Sequence, residues 1–225
     1  MSPVLVRSHS TRMTSLKQSR IYVIAGVNGA GKSSVAGATI NEAGAHYYNP
    51  DEAARRVRGA NLNLTQPEAN SLAWREGVRL LQRAITDRLD FAFETTLGAN
   101  TIPRLLKQAT AQGIEVCVWY VGLDTAERHI ARVQQRVWRG GHDIPEADIR
   151  RRYGHSRLNL IELLPYLTAL RVFDNSIEAD PAAGRTPRPR LVLHVEKGEI
   201  VGPKNLTRTP GWAKPIVAAV LSARV

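Results

Sequence analysis

A glycine-rich segment with fixed spacing constrains this chain more than any other feature of its sequence. The segment reads Gly26-Val27-Asn28-Gly29-Ala30-Gly31-Lys32-Ser33, and the apolar residues 21–25 before it are typical of a strand. Glycines allow consecutive N–H groups to surround an anion at the start of a helix. The pattern therefore predicts a phosphate-binding P-loop, in which Lys32 reaches the β- and γ-phosphates of ATP and Ser33 binds Mg²⁺. The predicted nucleotide-binding residues are Gly26, Val27, Asn28, Gly29, Ala30, Gly31, Lys32, Ser33 and Ser34.

Strand and helix patterns alternate along the chain. The predicted strands are 21–25, 46–49, 91–93, 114–121 and 169–173. The predicted helices run from the P-loop to about Gly44, from about Asp51, over 67–89, 102–112 and 124–139, and from about Pro145 to about Leu167. In the helix over 67–89, the spacing indicates Leu72, Val78, Leu81 and Ile85 as core positions. The alternation predicts an α/β fold, with a mostly parallel five-stranded sheet and helices on both faces.

Composition divides the chain into three parts. Residues 1–19 are rich in Ser, Thr and Arg and are predicted to be a disordered basic tail. Residues 20–178 carry the predicted nucleotide-binding domain, and 179–225 a linker with a small appendage. In that appendage, apolar runs at 191–195 and 199–201 flank Lys197-Gly198 and predict a hairpin, followed by a helix over 212–221.

The net charge of +11 raises the possibility of a nucleic-acid partner. The basic excess lies at the ends, however, since residues 21–180 carry nineteen basic and eighteen acidic residues. The alternative function left open is a nucleic-acid-associated NTPase or polynucleotide kinase that uses the basic tails. The N-terminal tail lacks the apolar segment of a secretory signal, so a cytoplasmic protein is expected.

Two carboxylates follow predicted strands at the edge of the sheet where ligands bind. Asp51 comes after the second strand, in Tyr48-Asn49-Pro50-Asp51, and is a candidate to orient or deprotonate an acceptor hydroxyl. Its alternative role is to cap the helix over 52–58. Glu94 ends the third strand and is a candidate to contact Mg²⁺ through water or to bind the acceptor, with a capping or turn role as the alternative.

Arginines on two successive predicted helices suggest a lid. Arg132, Arg136 and Arg139 share one helical face, Gly140-Gly141 supplies a hinge, and Arg150-Arg151-Arg152 follow. Arginines on a closing lid neutralise the charge that develops on a transferred phosphoryl group. The alternative is a solvated basic face. No Asp-Glu strand end, LSGGQ-like signature or N-K-x-D motif is present, which favours a small-molecule kinase over other P-loop classes.

In these motifs the chain resembles the zeta toxin family of P-loop kinases, in its short stand-alone branch. The resemblance covers roughly residues 20–176 and rests on the P-loop, Asn49-Pro50-Asp51, Phe93-Glu94-Thr95-Thr96-Leu97, and the lid around Gly140-Gly141-His142-Asp143-Ile144-Pro145. It implies transfer of the ATP γ-phosphate to a sugar hydroxyl, with UDP-N-acetylglucosamine, phosphorylated at its 3′-hydroxyl, as the best-known acceptor. An antitoxin partner is a further implication.

The resemblance also implies roles for individual residues. Asp51 would be the general base and Lys32 a phosphate ligand, while Glu94 and Thr96 would lie in the acceptor site. The lid would grip the γ-phosphate with Arg136 or Arg139 from its first helix and Arg152 or Arg151 from its second. Between Ala60 and Ala73 the sequence departs from the family pattern, which leaves the identity of the sugar open.

Overall fold

The computed structural model describes residues 18–33, 35, 46–177 and 188–223. Its strands are β1 (Arg20–Ala25), β2 (His46–Tyr48), β3 (Phe91–Thr95), β4 (Glu115–Gly122), β5 (Ala169–Asp174), β6 (Arg190–Glu196) and β7 (Glu199–Gly202). Its helices are α1 (Pro50–Ala60), α2 (Gln66–Thr86), α3 (Thr101–Ala111), α4 (Ala126–Trp138), α5 (Glu146–Leu163) and α6 (Lys214–Ser222). Most of the helix predicted after the P-loop, most of the N-terminal tail and most of the linker lie outside the described residues. Within the described ranges, none of these helices combines the length and apolarity needed to cross a membrane.

The strands form one sheet in the order β2-β3-β1-β4-β5-β6-β7. The first five strands pair in parallel, whereas β6 runs antiparallel to β5 and β7 antiparallel to β6. The prediction of a mostly parallel α/β sheet is confirmed, but the prediction of five strands is wrong, because the sheet has seven. The predicted C-terminal hairpin exists, yet it extends the main sheet by pairing along β5.

The hairpin covers the edge that β5 would otherwise expose. An uncovered edge strand leaves a row of unpaired N–H and C=O groups, and β6 satisfies that row. The two-residue connection suits this geometry, since Lys197 and Gly198 have φ angles of +49° and +82°. Sequence periodicity shows that 191–195 is a strand but does not say which strand it pairs with.

Helix α2 begins with a capping box, in which Thr65 and Glu68 exchange side-chain and backbone hydrogen bonds. Of its predicted core positions, Leu81 and Ile85 are buried and Val78 is partly buried against the core. The prediction for Leu72 is wrong, because this residue is 41% exposed. At about 100° per residue, Leu72 lies half a turn around the helix from Leu81 and faces away from the sheet.

The C-terminal segment also supports the edge of the sheet where β4 and β5 end. Trp212 packs over Gly122, where an added Cβ would lie 2.3 Å from the indole ring. Its Nε1–H donates to Asp174 Oδ1 over 3.1 Å. Because five strands are parallel, their carboxyl ends meet at this edge, and the segments that follow β1, β2 and β3 converge there.

Candidate active site

The P-loop is a turn that other side chains would not fit. Gly26 has φ +144°, and a Cβ there would lie 2.2 Å from the Val121 carbonyl oxygen. Gly29 has φ +80°, and its Cβ would lie 2.6 Å from the His129 carbonyl oxygen. Lys32 Nζ donates to the Gly26 carbonyl over 3.1 Å, across the mouth of the loop. The backbone at Gly26 and Gly29 therefore requires glycine, as the sequence pattern predicts. Ser33 begins the helix that follows, and Ser34 lies outside the described residues.

Neighbouring elements hold the loop in this shape. His129, on α4, lies with Nδ1 2.8 Å from the Asn28 carbonyl oxygen, and Asn175 Nδ2 donates to the Ala30 carbonyl over 2.8 Å. Burial lowers the pKa of His129 to about 4, so the ring is neutral near pH 7. Since a carbonyl can only accept, Nδ1 carries the proton and donates it. His129 was not identified from the sequence.

Asp51 lies in the first turn of α1 and does not cap it. The Asn49 side chain accepts hydrogen bonds from the backbone N–H groups of Asp51 and Glu52, so Asn49 is the N-cap. The Asp51 carboxylate is left for other contacts. Its Oδ2 lies 3.4 Å from Arg136 Nη1, and its Oδ1 lies 4.0 Å from His142 Nε2. The capping alternative for Asp51 is therefore wrong.

Glu94 is a strand residue of β3, in register with Ile24 of β1. Its carboxylate is buried, accepts a 2.6 Å hydrogen bond from the Tyr47 hydroxyl, and lies 4.0 Å from Lys32 Nζ. Burial, with this hydrogen bond, raises the pKa of Tyr47 and keeps its hydroxyl protonated. The structure thus brings Glu94 beside the P-loop lysine. Thr96, just beyond the strand, accepts from the Gly98 N–H through Oγ1 over 3.3 Å.

The lid arginines divide into two groups. Arg152 Nη1 donates to Asn28 Oδ1 in the P-loop over 2.8 Å, and burial lowers the pKa of its guanidinium. Arg136 contacts Asp51, and its Nε is buried without a hydrogen-bond partner among the described residues. In contrast, Arg139 is exposed at the end of α4, and the exposed Arg151 pairs with Asp148 over 2.8 Å. The solvated-face alternative therefore describes Arg139 and Arg151, while Arg136 and Arg152 reach the site.

The Gly140-Gly141 segment, predicted to be a hinge, is a closely packed turn between α4 and α5. Gly140 has φ +87°, and a Cβ on Gly141 would lie 2.7 Å from Arg136 Cγ. Gly141 therefore lets the chain turn tightly beneath Arg136. The turn delivers His142 to within 4.0 Å of Asp51, and burial lowers the pKa of this histidine. His142 occurs in the family motif, but its place beside Asp51 depends on this turn and was not expected from the sequence.

These groups surround a cavity of about 440 Å³. The end beside the P-loop is formed by Asn28, Lys32 and Arg152, and Asp51, Glu94 and His142 line the adjoining wall. The far wall includes Trp74 of α2. Trp74 was not predicted, because it follows directly after the segment between Ala60 and Ala73, where the sequence departs from the family pattern. Arg152 is among the lining residues, whereas Arg136, Arg139 and Arg151 are not, and Arg136 reaches the cavity wall only through Asp51.

The described residues fit a P-loop Mg²⁺ and not a dedicated protein metal cage. Among them, no group of three or more His, Cys, Asp or Glu side chains could hold a metal ion. Mg²⁺ is usually bound by one or two protein oxygens together with substrate phosphates and water. Ser33 is exposed at the start of the helix after the P-loop, and the Glu94 carboxylate lies 4.0 Å from Lys32 Nζ, so both residue types needed for such a site are present.

Comparisons with known proteins agree with this geometry. The family model for zeta toxin matches residues 5–176 of this chain. An uncharacterized protein from Haemophilus influenzae is 30% identical over 136 residues, which cover 60% of this chain and 94% of that protein.

Solved structures share the fold at low sequence identity. The match to the AvrRxo1-ORF1:-ORF2 crystal structure with ATP has a TM-score of 0.62 and 14% sequence identity. It covers 90% of this chain and 64% of the matched chain. This chain therefore spans less than two thirds of that neighbour. The match to the PezAT toxin–antitoxin system of Streptococcus pneumoniae has a TM-score of 0.53 and 14% sequence identity. It covers 77% of this chain and 75% of the matched chain.

Proposed function

Because the chain belongs to the zeta toxin family, we propose that it is an ATP-dependent kinase that phosphorylates a hydroxyl group of a small molecule. The observation that carries this proposal is one cavity shared by the P-loop lysine, two carboxylates and a lid arginine. Asp51, in the same cavity as the P-loop lysine, supplies the base that transfer to a hydroxyl requires. The neighbour of the same fold that was solved with ATP supports ATP as the nucleotide.

In the proposed reaction, the acceptor oxygen attacks the γ-phosphorus of ATP. A new O–P bond forms, the bond from the γ-phosphorus to the β,γ-bridging oxygen breaks, and ADP leaves. Asp51 accepts the hydroxyl proton, since its carboxylate is in the cavity wall and is not used for capping. Lys32, with the N–H groups of the P-loop, holds the β- and γ-phosphates.

The lid arginines would neutralise charge on the transferred phosphoryl group. Arg152 already contacts the P-loop through Asn28, and the unpartnered Nε of Arg136 would gain an acceptor in a phosphate oxygen. Arg152 would have to exchange Asn28 for phosphate, whereas Arg136 would keep its Nη1 contact with Asp51 and bind phosphate through Nε. The Ser33 hydroxyl would hold Mg²⁺, which would supply positive charge against the phosphates of ATP.

Family membership favours a sugar hydroxyl as the acceptor, and UDP-N-acetylglucosamine is the first compound to test. Glu94 and Thr96 would then bind the acceptor. A neutralising antitoxin is also proposed from family membership, and the PezAT neighbour, which is a toxin–antitoxin system, supports looking for one.

The test is an acceptor screen by mass spectrometry. Full-length protein with ATP and Mg²⁺ is incubated with pooled sugars and nucleotide sugars, and phosphomonoester products are sought. We expect a product with the wild type and none with Lys32→Ala, whose affinity for ATP should also fall. The matched control is Lys107→Ala, a distant lysine that pairs with Glu162. Tight ATP binding with no product from any pool would contradict the proposal.

A further inference from the structure

A buried carboxylate at the end of β5 lies between the P-loop and the C-terminal segment of the chain. Asp174 is the last residue of β5 and is 5% exposed. An ionised carboxylate away from water is stable only where cations or hydrogen-bond donors compensate its charge. The donors around Asp174 therefore identify the parts of the chain that hold this strand end in place.

Two of these donors come from the C-terminal segment. Trp212 Nε1–H donates to Asp174 Oδ1 over 3.1 Å, and Arg190 Nη2 donates to Asp174 Oδ2 over 3.3 Å. A further donor is local, since the Ser176 hydroxyl donates to Oδ1 over 2.5 Å. Trp212 and Arg190 both lie beyond residues 5–176, which the family model matches. The compensation of Asp174 thus depends on residues outside the family match.

The residue after Asp174 contacts the P-loop directly. Asn175 is buried, and its Nδ2 donates to the Ala30 carbonyl over 2.8 Å. Its backbone N–H donates to the Gly122 carbonyl over 3.0 Å, next to the paired ends of β4 and β5. Because Asn175 follows Asp174 without an intervening residue, a shift of the Asp174 backbone would move the amide that contacts Ala30.

The turn formed by residues 174–176 also holds α4, the first helix of the lid. The Asn175 carbonyl accepts a hydrogen bond from Arg132 Nη2 of α4 over 2.7 Å. The same helix carries His129, whose Nδ1 donates to the Asn28 carbonyl in the P-loop over 2.8 Å. Asn175 and His129, which both hold carbonyl groups of the P-loop, are therefore both linked to the turn 174–176.

Trp212 has a packing role that can be separated from its hydrogen bond. Its indole lies over Gly122, and its ring centroid is 6.2 Å from that of Tyr120. Phenylalanine would keep an aromatic ring at this place but has no N–H group. Trp212→Phe therefore removes the contact with Asp174 and keeps most of the apolar packing.

We propose that Trp212 and Arg190 are positioning residues for the nucleotide site, which act on the P-loop through Asp174 and the turn 174–176. Neither residue lines the cavity beside the P-loop. Because these roles concern ATP binding, they rest on the proposed function and add a dependence on the C-terminal segment. Loss of either donor leaves the buried carboxylate undercompensated, so the turn shifts away from Ala30 and the P-loop binds ATP more weakly.

The first test is Trp212→Phe in the full-length protein, with titration of a non-hydrolysable ATP analogue. We expect the Kd to rise by about ten-fold, because a hydrogen bond to a charged group is lost. With an acceptor that is turned over, the KM for ATP should rise by a similar factor and kcat should change by less than about two-fold. The matched control is Trp138→Phe, at a tryptophan that is 87% exposed, and it should leave the Kd unchanged.

Stability measurements separate positioning from a purely structural role. Urea unfolding is followed for the same variants, and the Kd is measured under conditions in which each variant is folded. A lower free energy of unfolding with an unchanged Kd for Trp212→Phe would show that the indole only stabilises the fold, and would overturn the inference.

A second variant keeps the inference testable if Trp212→Phe does not fold. Arg190 is partly exposed, and Arg190→Gln should raise the Kd by about three-fold, since a partly exposed ion pair contributes less than a buried hydrogen bond. Arg208→Gln makes the same change at an exposed residue of the same segment and should leave the Kd unchanged. Equal Kd values for Arg190→Gln, Arg208→Gln and the wild type would contradict the role of Arg190.

A double-mutant cycle tests whether the effect passes through Asp174. Asp174→Asn removes the buried charge that the donors compensate. In this background Trp212→Phe should raise the Kd by only about three-fold further, because hydrogen bonds to uncharged groups contribute about half as much. An undiminished ten-fold rise would overturn the path through Asp174. If the wild type itself does not bind the analogue, the proposed function fails, whereas unchanged Kd values in the variants would overturn only the positioning roles.

Discussion

The donor loop and the acceptor wall of the cavity are built in different ways. The donor loop is one continuous segment, 26–33, and its shape comes from backbone conformations that glycine permits. The acceptor wall is assembled from side chains on α1, α2, β3 and the lid, which are far apart in sequence. A site made of local backbone can be identified from a motif, whereas a site made of distant side chains depends on the whole fold.

The largest expected effect is that of a substitution at Asp51, which should impair the acceptor wall and leave the donor loop intact. Asp51→Asn should reduce phosphoryl transfer by about 10²–10⁴-fold, because the amide cannot take the acceptor proton. The Kd for ATP should change by less than about two-fold, since Asp51 does not contact the P-loop. The rate of phosphoryl transfer is measured by steady-state kinetics, and the Kd is measured by titration with a non-hydrolysable ATP analogue.

The control for this prediction is Glu52→Gln, which removes a neighbouring exposed carboxylate from the same helix turn. It should leave transfer unchanged. Loss of ATP affinity in Asp51→Asn would show that the two regions are not separable in this way, and an unchanged transfer rate would remove Asp51 as the base.

A second prediction concerns the neutral histidine that supports the donor loop. The folded pKa of His129 is about 4, below the value of about 6.5 for an unfolded chain. As the pH falls from about 6.5 to about 4, the unfolded chain is protonated at this histidine before the folded chain is. This difference lowers the free energy of unfolding by about 3 kcal/mol over that pH range. Above the window, that contribution to stability is fully present.

His129→Gln keeps a side-chain donor but cannot bind the proton. Urea unfolding from pH 7.5 to 4.5 should therefore show a shallower loss of stability for the variant than for the wild type. Carboxylates elsewhere titrate in both proteins and cancel in the difference. Parallel stability curves for the two proteins would contradict the assignment of a neutral, buried His129.

The smallest expected effect tests which arginine of the second lid helix reaches the site. Arg152→Lys keeps the charge but loses the planar fork, and should reduce kcat by about ten-fold. Arg151→Lys should change kcat by less than about two-fold, because Arg151 is exposed and pairs with Asp148. Equal losses in both variants would favour a general electrostatic effect of the lid over a specific contact by Arg152.

The sequence alone was sufficient for the features that depend on local pattern. The P-loop, the parallel sheet and the strand-end carboxylates Asp51 and Glu94 follow from motif, alternation and strand position. The capping question at Asp51 was resolved only by backbone geometry, because Asn49 and Asp51 are both good capping residues.

Features set by long-range contacts could not be predicted. The i, i+4, i+7 spacing places Arg132, Arg136 and Arg139 on one side of a helix, but the helix ends before Arg139 can reach the cavity. The pairing of β6 with β5 depends on which sheet edge is available. Likewise, His129 and Trp74 gain their places from the packing of α4 and α2 against other elements, which no local pattern records.

The most direct test of the central claim is a product balance for ATP turnover. ADP, inorganic phosphate and phosphorylated acceptor are quantified together for wild type and Asp51→Asn, with and without an acceptor that is turned over. For an acceptor-dependent kinase, ADP forms only with acceptor present, equals the phosphorylated product, and disappears in Asp51→Asn. ADP matched by inorganic phosphate, unaffected by any acceptor or by Asp51→Asn, would show an ATPase and contradict the proposed function.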